Sequence, residues 1–314
     1  MTSPDETEGG GVSSTKQPLM YAPRANKFKV GLRNFGQWAA SEKAAAVAIG
    51  FLVILSLSAI AAPIVAPYDP LQQDLGSILN GPSWSHPFGT DELGRDLLSR
   101  VIFGGRISLA TGAIAVAIAG SVGALAGLAA GYVEGFPGAL IMRFMDFMLA
   151  VPGILLAITI AAVLGRGFWP ATIAVTVISV PAFARLARAS VLSTKEEEFV
   201  QSTRSAGAGH TYLMFRTIFP NALSPLIVQA SVAAATAVLL EAALSFLGLG
   251  TQPPSPSWGM SLALGKSYLN QSVWYALMPG VVLTATVLSI DTIGRALQRT
   301  WGGSALDSAA GRGA

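Results

Sequence analysis

Between Lys195 and Asn221 the chain reads KEEEFVQSTRSAGAGHTYLMFRTIFPN, a charged and polar stretch set between long apolar runs. Its residues suit recognition rather than bond-making. Thr194, with Glu197 three residues on, has the capping-box spacing that opens a helix. Phe199, Val200, Thr203 and Ala206 then share one face, with Glu198, Gln201 and Arg204 largely off it. Gly207 suits the left-handed residue that closes such a helix. After Gly209 a second short helix, carrying Tyr212, Leu213, Phe215 and Ile218, is predicted to stop before Pro220. This helix–glycine–helix unit is too polar to cross a bilayer. A solvated connector needs no pair of amphipathic helices with exposed aromatics, and exposed apolar faces mark a partner. The stretch reads as a handle gripped by another protein.

Other reactive side chains are few. Glu241, Asp146 and Asp291 are acids within apolar runs. An ionised acid at mid-membrane costs at least about 2.5 kcal/mol, so Glu241 should face protein or water. It either lines a path, where it could bind an ammonium group, or braces two helices. Arg143 lies one turn before Asp146 and Arg295 four residues after Asp291, so local ion pairs are predicted. Leu264-Gly265-Lys266-Ser267 resembles part of a phosphate loop, but that motif needs glycine where Met260 stands and a strand–loop–helix context. His86 and His210 fall on opposite predicted faces and cannot form one metal site or catalytic dyad. The absence of cysteine excludes disulfides, thiolate catalysis and cysteine metal sites. No hydrolytic chemistry of the chain's own is expected.

The elements that position these residues follow from composition. Hydrophobic residues make up 52% of the 314 and charged residues 12%, about half the charge of a soluble domain. A hydrocarbon core of roughly 30 Å needs about 20 helical residues. Six runs qualify: 44–66, 107–132, 139–164, 168–186, 223–249 and 275–297. Backbone groups in hydrocarbon must bond within their own segment, so all six are predicted helices of an all-α polytopic membrane protein. Gly123, Gly127 and Gly131 recur every four residues, a small-residue face for close helix packing. Pro152, Pro181 and Pro279 lie inside spans, where each can kink its helix. Before the second span, Leu93, Leu97, Leu98, Val101 and Ile102 give an interfacial helix one apolar face, with Asp91 and Glu92 suiting its positive end.

Orientation follows from lysine and arginine. With six spans, fifteen of the twenty fall on the side of both termini and the 185–216 cluster, against five on the other. Both termini are therefore expected in the cytoplasm. The basic residues sit in short loops beside apolar runs, which argues topology rather than nucleic-acid binding. Residues 1–43 read as a cytoplasmic tail, the first thirty of them, which lack an apolar period, as disordered, and 44–66 as a retained span, since about forty residues precede it, too many for a signal n-region. An extracytoplasmic segment is expected over 67–106, a membrane core over 107–300 with its cytoplasmic loop at 190–222, and a C-terminal tail over 301–314.

The segment Phe199–Asn221 resembles the cytoplasmic motif of bacterial ABC importer permeases, a pattern that begins Glu-Ala-Ala and has a glycine further on. Gln201, Ser202 and Thr203 stand at its first three positions, Gly207 at the glycine, and Phe219-Pro220-Asn221 closes it. Here the acid is an amide and both alanines are hydroxyl residues. His86-Pro87-Phe88-Gly89-Thr90-Asp91, Gly94-Arg95-Asp96, Ser99-Arg100 and Arg106-Ile107-Ser108-Leu109 resemble the signature of the dipeptide/oligopeptide/nickel group. So do Glu241-Ala242-Ala243-Leu244-Ser245-Phe246-Leu247-Gly248-Leu249-Gly250, Pro253-Pro254 and Pro256-Ser257-Trp258-Gly259. Asp291-Thr292-Ile293-Gly294-Arg295 stands where the group more often has Asn and, after the glycine, Asp.

The resemblance implies a type I importer permease fold and the second, C-type permease of a heterodimer. It implies two ATPase subunits, which would hold ATP and Mg while this chain holds no cofactor, and an extracytoplasmic binding protein. By carry-over, Phe199, Val200, Gln201, Ser202, Thr203, Arg204, Gly207 and Pro220 would couple to the ATPases. Asp91, Arg95, Asp96 and Arg100 would lie at an outer gate or docking surface, and Glu241 and Asp146 would line a path or brace helices. The competing expectation is a proton-coupled transporter using Glu241, Asp146 or Asp291.

Overall fold

The computed structural model describes residues 43–133 and 135–310. Most of the expected amino-terminal tail, and residues 311–314, lie outside them. Among the described residues every named element is a helix; the one β-bridge pairs Thr90 with Asp96. The helices are α1 (Lys43–Ile60), α2 (Ala62–Val65), α3 (Leu97–Tyr132), α4 (Phe136–Ala150), α5 (Gly153–Leu164) and α6 (Phe168–Lys195). They continue with α7 (Glu198–Ser205), α8 (His210–Phe246), α9 (Trp258–Lys266) and α10 (Trp274–Ala310). α1, α3, α6, α8 and residues 274–299 of α10 are each long and apolar enough to cross a membrane.

No separate interfacial helix precedes the second span. Asp96 is the N-cap, its side chain accepting from the Ser99 amide at 2.7 Å. No proline interrupts the 36 residues that follow, so the apolar face at Leu97, Val101 and Ile102 is simply the first turns of α3. At 1.5 Å per residue the helix runs about 54 Å and projects well beyond the hydrocarbon. Leu93 lies outside it, in a turn closed by the Gly94 amide on the Asp91 carbonyl. Asp91 and Glu92 therefore do not cap the helix dipole; Asp96 does.

The expected straight third span is two helices meeting at 91°. The break falls at Pro152: a proline disfavours helical geometry in the residue before it, and Val151 takes φ −90°, ψ 132°. The arms, 15 and 12 residues long, are individually too short to cross about 30 Å. Together they do traverse the bundle, because of how α3 packs on α6. Gly123 lies against Val180 and Phe183, Gly127 against Ala184 and Ala187, and Gly131 against Val191, so both helices run in the same direction. A chain joining two parallel helices must return from one end of the bundle to the other, and the α4–α5 pair is that return. The glycines are required: a Cβ on Gly127 would sit 2.3 Å from the Ala184 carbonyl oxygen. Small residues permit this close approach of backbones.

Elsewhere proline is absorbed. Pro181 lies within α6, which continues past residue 186 to Lys195, and Pro225 lies within α8. The second helix of the polar hairpin does not stop before Pro220 but runs straight into the fifth span. Leu213–Ile218 widens into a π turn just ahead of Pro220, where the Phe219 amide reaches back to the Met214 carbonyl. The Asn221 side-chain amide donates to the Thr217 carbonyl at 2.7 Å, patching a ladder in which proline offers no N–H. The last helix likewise continues through residues 301–310, where a tail is expected.

Candidate functional site

At the end of the bundle where α3 and α6 finish, α7 is set into a socket. Val200 is 1% exposed and packs with Leu128 of α3, Val191 of α6 and Leu213, Ile218 and Ala222 of α8, with Phe199 and Tyr132 partly buried beside it. The apolar face of α7 thus meets its own bundle rather than a partner, which corrects the expected docking face. What α7 turns outward is polar: Gln201, Ser202, Arg204 and Ser205, with the aromatics Tyr212 and Phe215 exposed nearby on α8. Thr203 is half-buried, its hydroxyl donating to the Phe199 carbonyl at 2.7 Å; Gly207 and Pro220 are exposed.

The capping box does not form, because Thr194 still belongs to α6; α7 begins at the extended residue Glu197, whose side chain makes no cap bond. The end of α7 is a Schellman closure. Gly207 has φ +85°, its amide reaches the Arg204 carbonyl at 3.0 Å, and the Ala208 amide reaches Thr203 at 3.3 Å. The Gln201 side-chain amide donates to the Glu196 carbonyl at 3.3 Å, a bond the glutamate of the resembling pattern could not donate.

Glu241 is 1% exposed on α8 and faces α3. Ser108 of α3 donates to one carboxylate oxygen and Ser245 to the other, each at 2.7 Å. Just beyond lies Trp258, wholly buried, its indole donating to the Val101 carbonyl at 2.8 Å; Gly104 and Gly105 make room for the ring, and Gly259 packs on the Ala242 backbone. The acid links α3 to α8, next to where α9 packs on both. It does not line the apolar groove of about 620 Å³ along α10, between Leu269 and Leu288. Of the two sequence readings, bracing is the one the geometry fits. Asp146 is half-exposed and pairs with Arg185 of α6 at 2.6 Å, not with Arg143; a helix-to-helix bridge has displaced the local one. Asp291 pairs with Arg295 at 2.6 Å as its spacing predicts.

At the opposite end, residues 67–96 form an irregular loop held by charge. Asp91 accepts from the Arg95 guanidinium at 2.6 Å and lies 3.3 Å from that of Arg100, while Arg95 also reaches Glu92 at 2.8 Å. Arg100 donates to the Pro70 carbonyl at 3.0 Å, and Asp96 holds both Ser99 and His86. Asp91, Arg95, Asp96 and Arg100 are at most 4% exposed. Such buried side chains offer no docking surface, so that expectation is corrected: the four tie the loop to the start of α3. Around them Asp69 and Asp74 close exposed turns, the Asp74 carboxyl held below its usual range by bonds from Ser77 and the Gly76 amide.

His86 is in this loop and His210 at the other end of the bundle; among the described residues no cluster of three or more histidines and acids could hold a metal ion. Leu264–Lys266 finishes the helix α9, with the Lys266 ammonium 5.4 Å from the Phe246 ring centre, not a phosphate loop. Sequence reasoning missed Ser108, Ser245, Trp258, Arg185 and Tyr132. Ser245 lies one turn after Glu241, a local spacing that could have revealed it, whereas Ser108 and Trp258 meet partners 133 and 157 positions away, which no local pattern pairs.

Crossing apolar helices braced by buried polar joints, with a polar hairpin fixed at one end, define a polytopic membrane protein. Residues 123–302 match the family described as binding-protein-dependent transport system inner membrane component, and the chain belongs to it. Residues 40–82 match the N-terminal transmembrane domain of oligopeptide transport permease C. The chain is 44% identical over 273 residues to the di/tripeptide transport system permease protein DppC of Pseudomonas aeruginosa, covering 85% of this chain and 90% of that one. Against the dipeptide permease DppC of Haemophilus influenzae it is 37% identical, over 90% and 96%. Against the glutathione permease GsiD of Escherichia coli it is 43% identical, over 79% and 82%. The inward-facing MetNI methionine ABC transporter shares the fold, with a TM-score of 0.54 at 17% identity over 65% of this chain and 97% of that one. The protein is thus a multi-pass permease subunit of an ABC importer, a transport component and not an enzyme. A proton-coupled transporter is not supported.

Proposed function

We propose that this permease passes di- or oligopeptides across a bacterial cell membrane, both termini and the α7 hairpin lying in the cytoplasm. Its path is formed with a homologous permease, substrate arrives from an extracytoplasmic binding protein, and two ATPase subunits, which hold ATP and Mg, supply the energy. The peptide cargo is supported by the cargoes for which its relatives are named. The cytoplasmic assignment of the hairpin is supported by the excess of lysine and arginine on that side.

The observation that carries the coupling role is the seating of α7. Val200 and Phe199 root the helix among α3, α6 and α8, while Gln201, Ser202 and Arg204 face outward. A partner gripping the outward face moves three spans together. Gly207 sets the direction of the chain after α7, and Pro220 marks where the hairpin passes into the fifth span. Access then alternates by rigid-body rocking of the bundle, as in other transporters.

The chain has no cysteine, so Ser202→Cys introduces a single crosslinking point. In membranes that import peptide, a short crosslinker at this position is expected to capture a nucleotide-binding subunit. Reconstituted with its ATPases and binding protein, the complex is expected to hydrolyse ATP faster when peptide is supplied. No capture during active uptake would overturn the coupling role; no stimulation by any peptide would overturn the cargo.

A further inference from the structure

Three helix ends converge beside the α7 socket. Tyr132 is the last residue of α3, Lys195 the last of α6, and His210 the first of α8. The Tyr132 hydroxyl and His210 Nδ1 share a hydrogen bond of 2.8 Å, their rings meeting edge to face at 6.0 Å. The Lys195 ammonium donates to the Tyr132 carbonyl at 3.4 Å and lies 5.8 Å from the centre of its ring. One half-buried tyrosine therefore holds the segments on either side of α7.

The socket and this clasp differ in kind. Apolar packing around Val200 is non-directional and tolerates sliding or rotation, whereas the Tyr132–His210 bond has a fixed direction and length. α3 extends unbroken from Tyr132 to the Asp96 cap and the Arg100–Asp91 pair at the other end, with Ser108 meeting Glu241 on the way. A displacement delivered to Tyr132 is delivered to a rod reaching the loop on the opposite face.

We infer that Tyr132 is a positioning residue of the transport cycle: through His210 it passes movement of the α7 hairpin into α3, so that the two faces of the membrane change state together. The role rests on the coupling reading of α7. Without the hydroxyl, α7 still sits in its socket and is still gripped, but part of each stroke is lost before it reaches α3.

The test uses the complete complex, with its partner permease, ATPases and binding protein, in liposomes. Tyr132→Phe is expected to raise ATP hydrolysed per peptide imported about fivefold, the range one hydrogen bond commands, with thermal unfolding near that of the parent. His210→Leu should match it. His210→Asn, whose amide reaches the position of Nδ1, should restore most of the coupling. An unchanged ratio in Tyr132→Phe, or a proportional fall of hydrolysis and uptake, overturns the inference. Crosslinking from Ser202→Cys in the same liposomes separates the layers: capture with an unchanged ratio removes the clasp alone, and no capture removes the coupling reading with it.

Discussion

Glu241 accepts a hydroxyl on each carboxylate oxygen and is 1% exposed, an arrangement suited to holding α3 to α8. Gln at this position keeps an oxygen to accept from one serine and offers an amide to the other, whose hydroxyl can turn to accept. Glu241→Gln is therefore expected to retain most peptide uptake, where a proton-carrying acid would lose it. Glu241→Leu leaves two buried hydroxyls without their acceptor and should lower stability by about 1–2 kcal/mol, on the scale of interhelical bonds in membranes. Uptake in proteoliposomes and thermal unfolding in detergent check both. At this scale the sequence was legible for the opposite charges one turn apart, Asp291 with Arg295. It was not where the partner arrives from another helix: Arg185 taking Asp146 from Arg143, or Ser108 reaching Glu241, follows from tertiary packing alone.

Helices and their ends obey different rules. The interiors of the apolar runs other than 139–164 were legible because hydrocarbon leaves the backbone no alternative to a helix, and the glycine face of α3 because its period is local. Breaks were not, since proline alone does not decide them. Pro152 turns the chain by 91° whereas Pro181 and Pro225 leave their helices continuous, and a π turn with the Asn221 amide carries α8 across Pro220. Gly207 is the reverse case, a residue whose backbone is fixed by what ends α7. Its φ of +85° lies far from the −65° that proline imposes, and its amide is in use. Gly207→Pro should leave membrane insertion intact but unmake the close of α7, raising ATP turnover relative to peptide uptake several-fold. Normal coupling in that variant would count against α7 as the transmitting element.

The described bundle is organised by one relation, the parallel run of α3 and α6, which forces the bent α4–α5 pair to cross. Three crossings then separate the loop at 67–96 from the hairpin at 196–209, and the two must lie on opposite faces. Trp84, fully exposed in that loop, and Ser202 are suitable reporters in a chain without cysteine. In intact cells lacking the partner ATPases, a membrane-impermeant thiol reagent should modify Trp84→Cys at once and Ser202→Cys only after permeabilisation. A re-entrant α4–α5 pair would remove one crossing and bring both sites to the same face. Reversed orientation would exchange them, against a fifteen-to-five balance of basic residues. Labelling of both sites from outside would therefore break the parallel arrangement, and with it the route by which a pull on α7 reaches the opposite face.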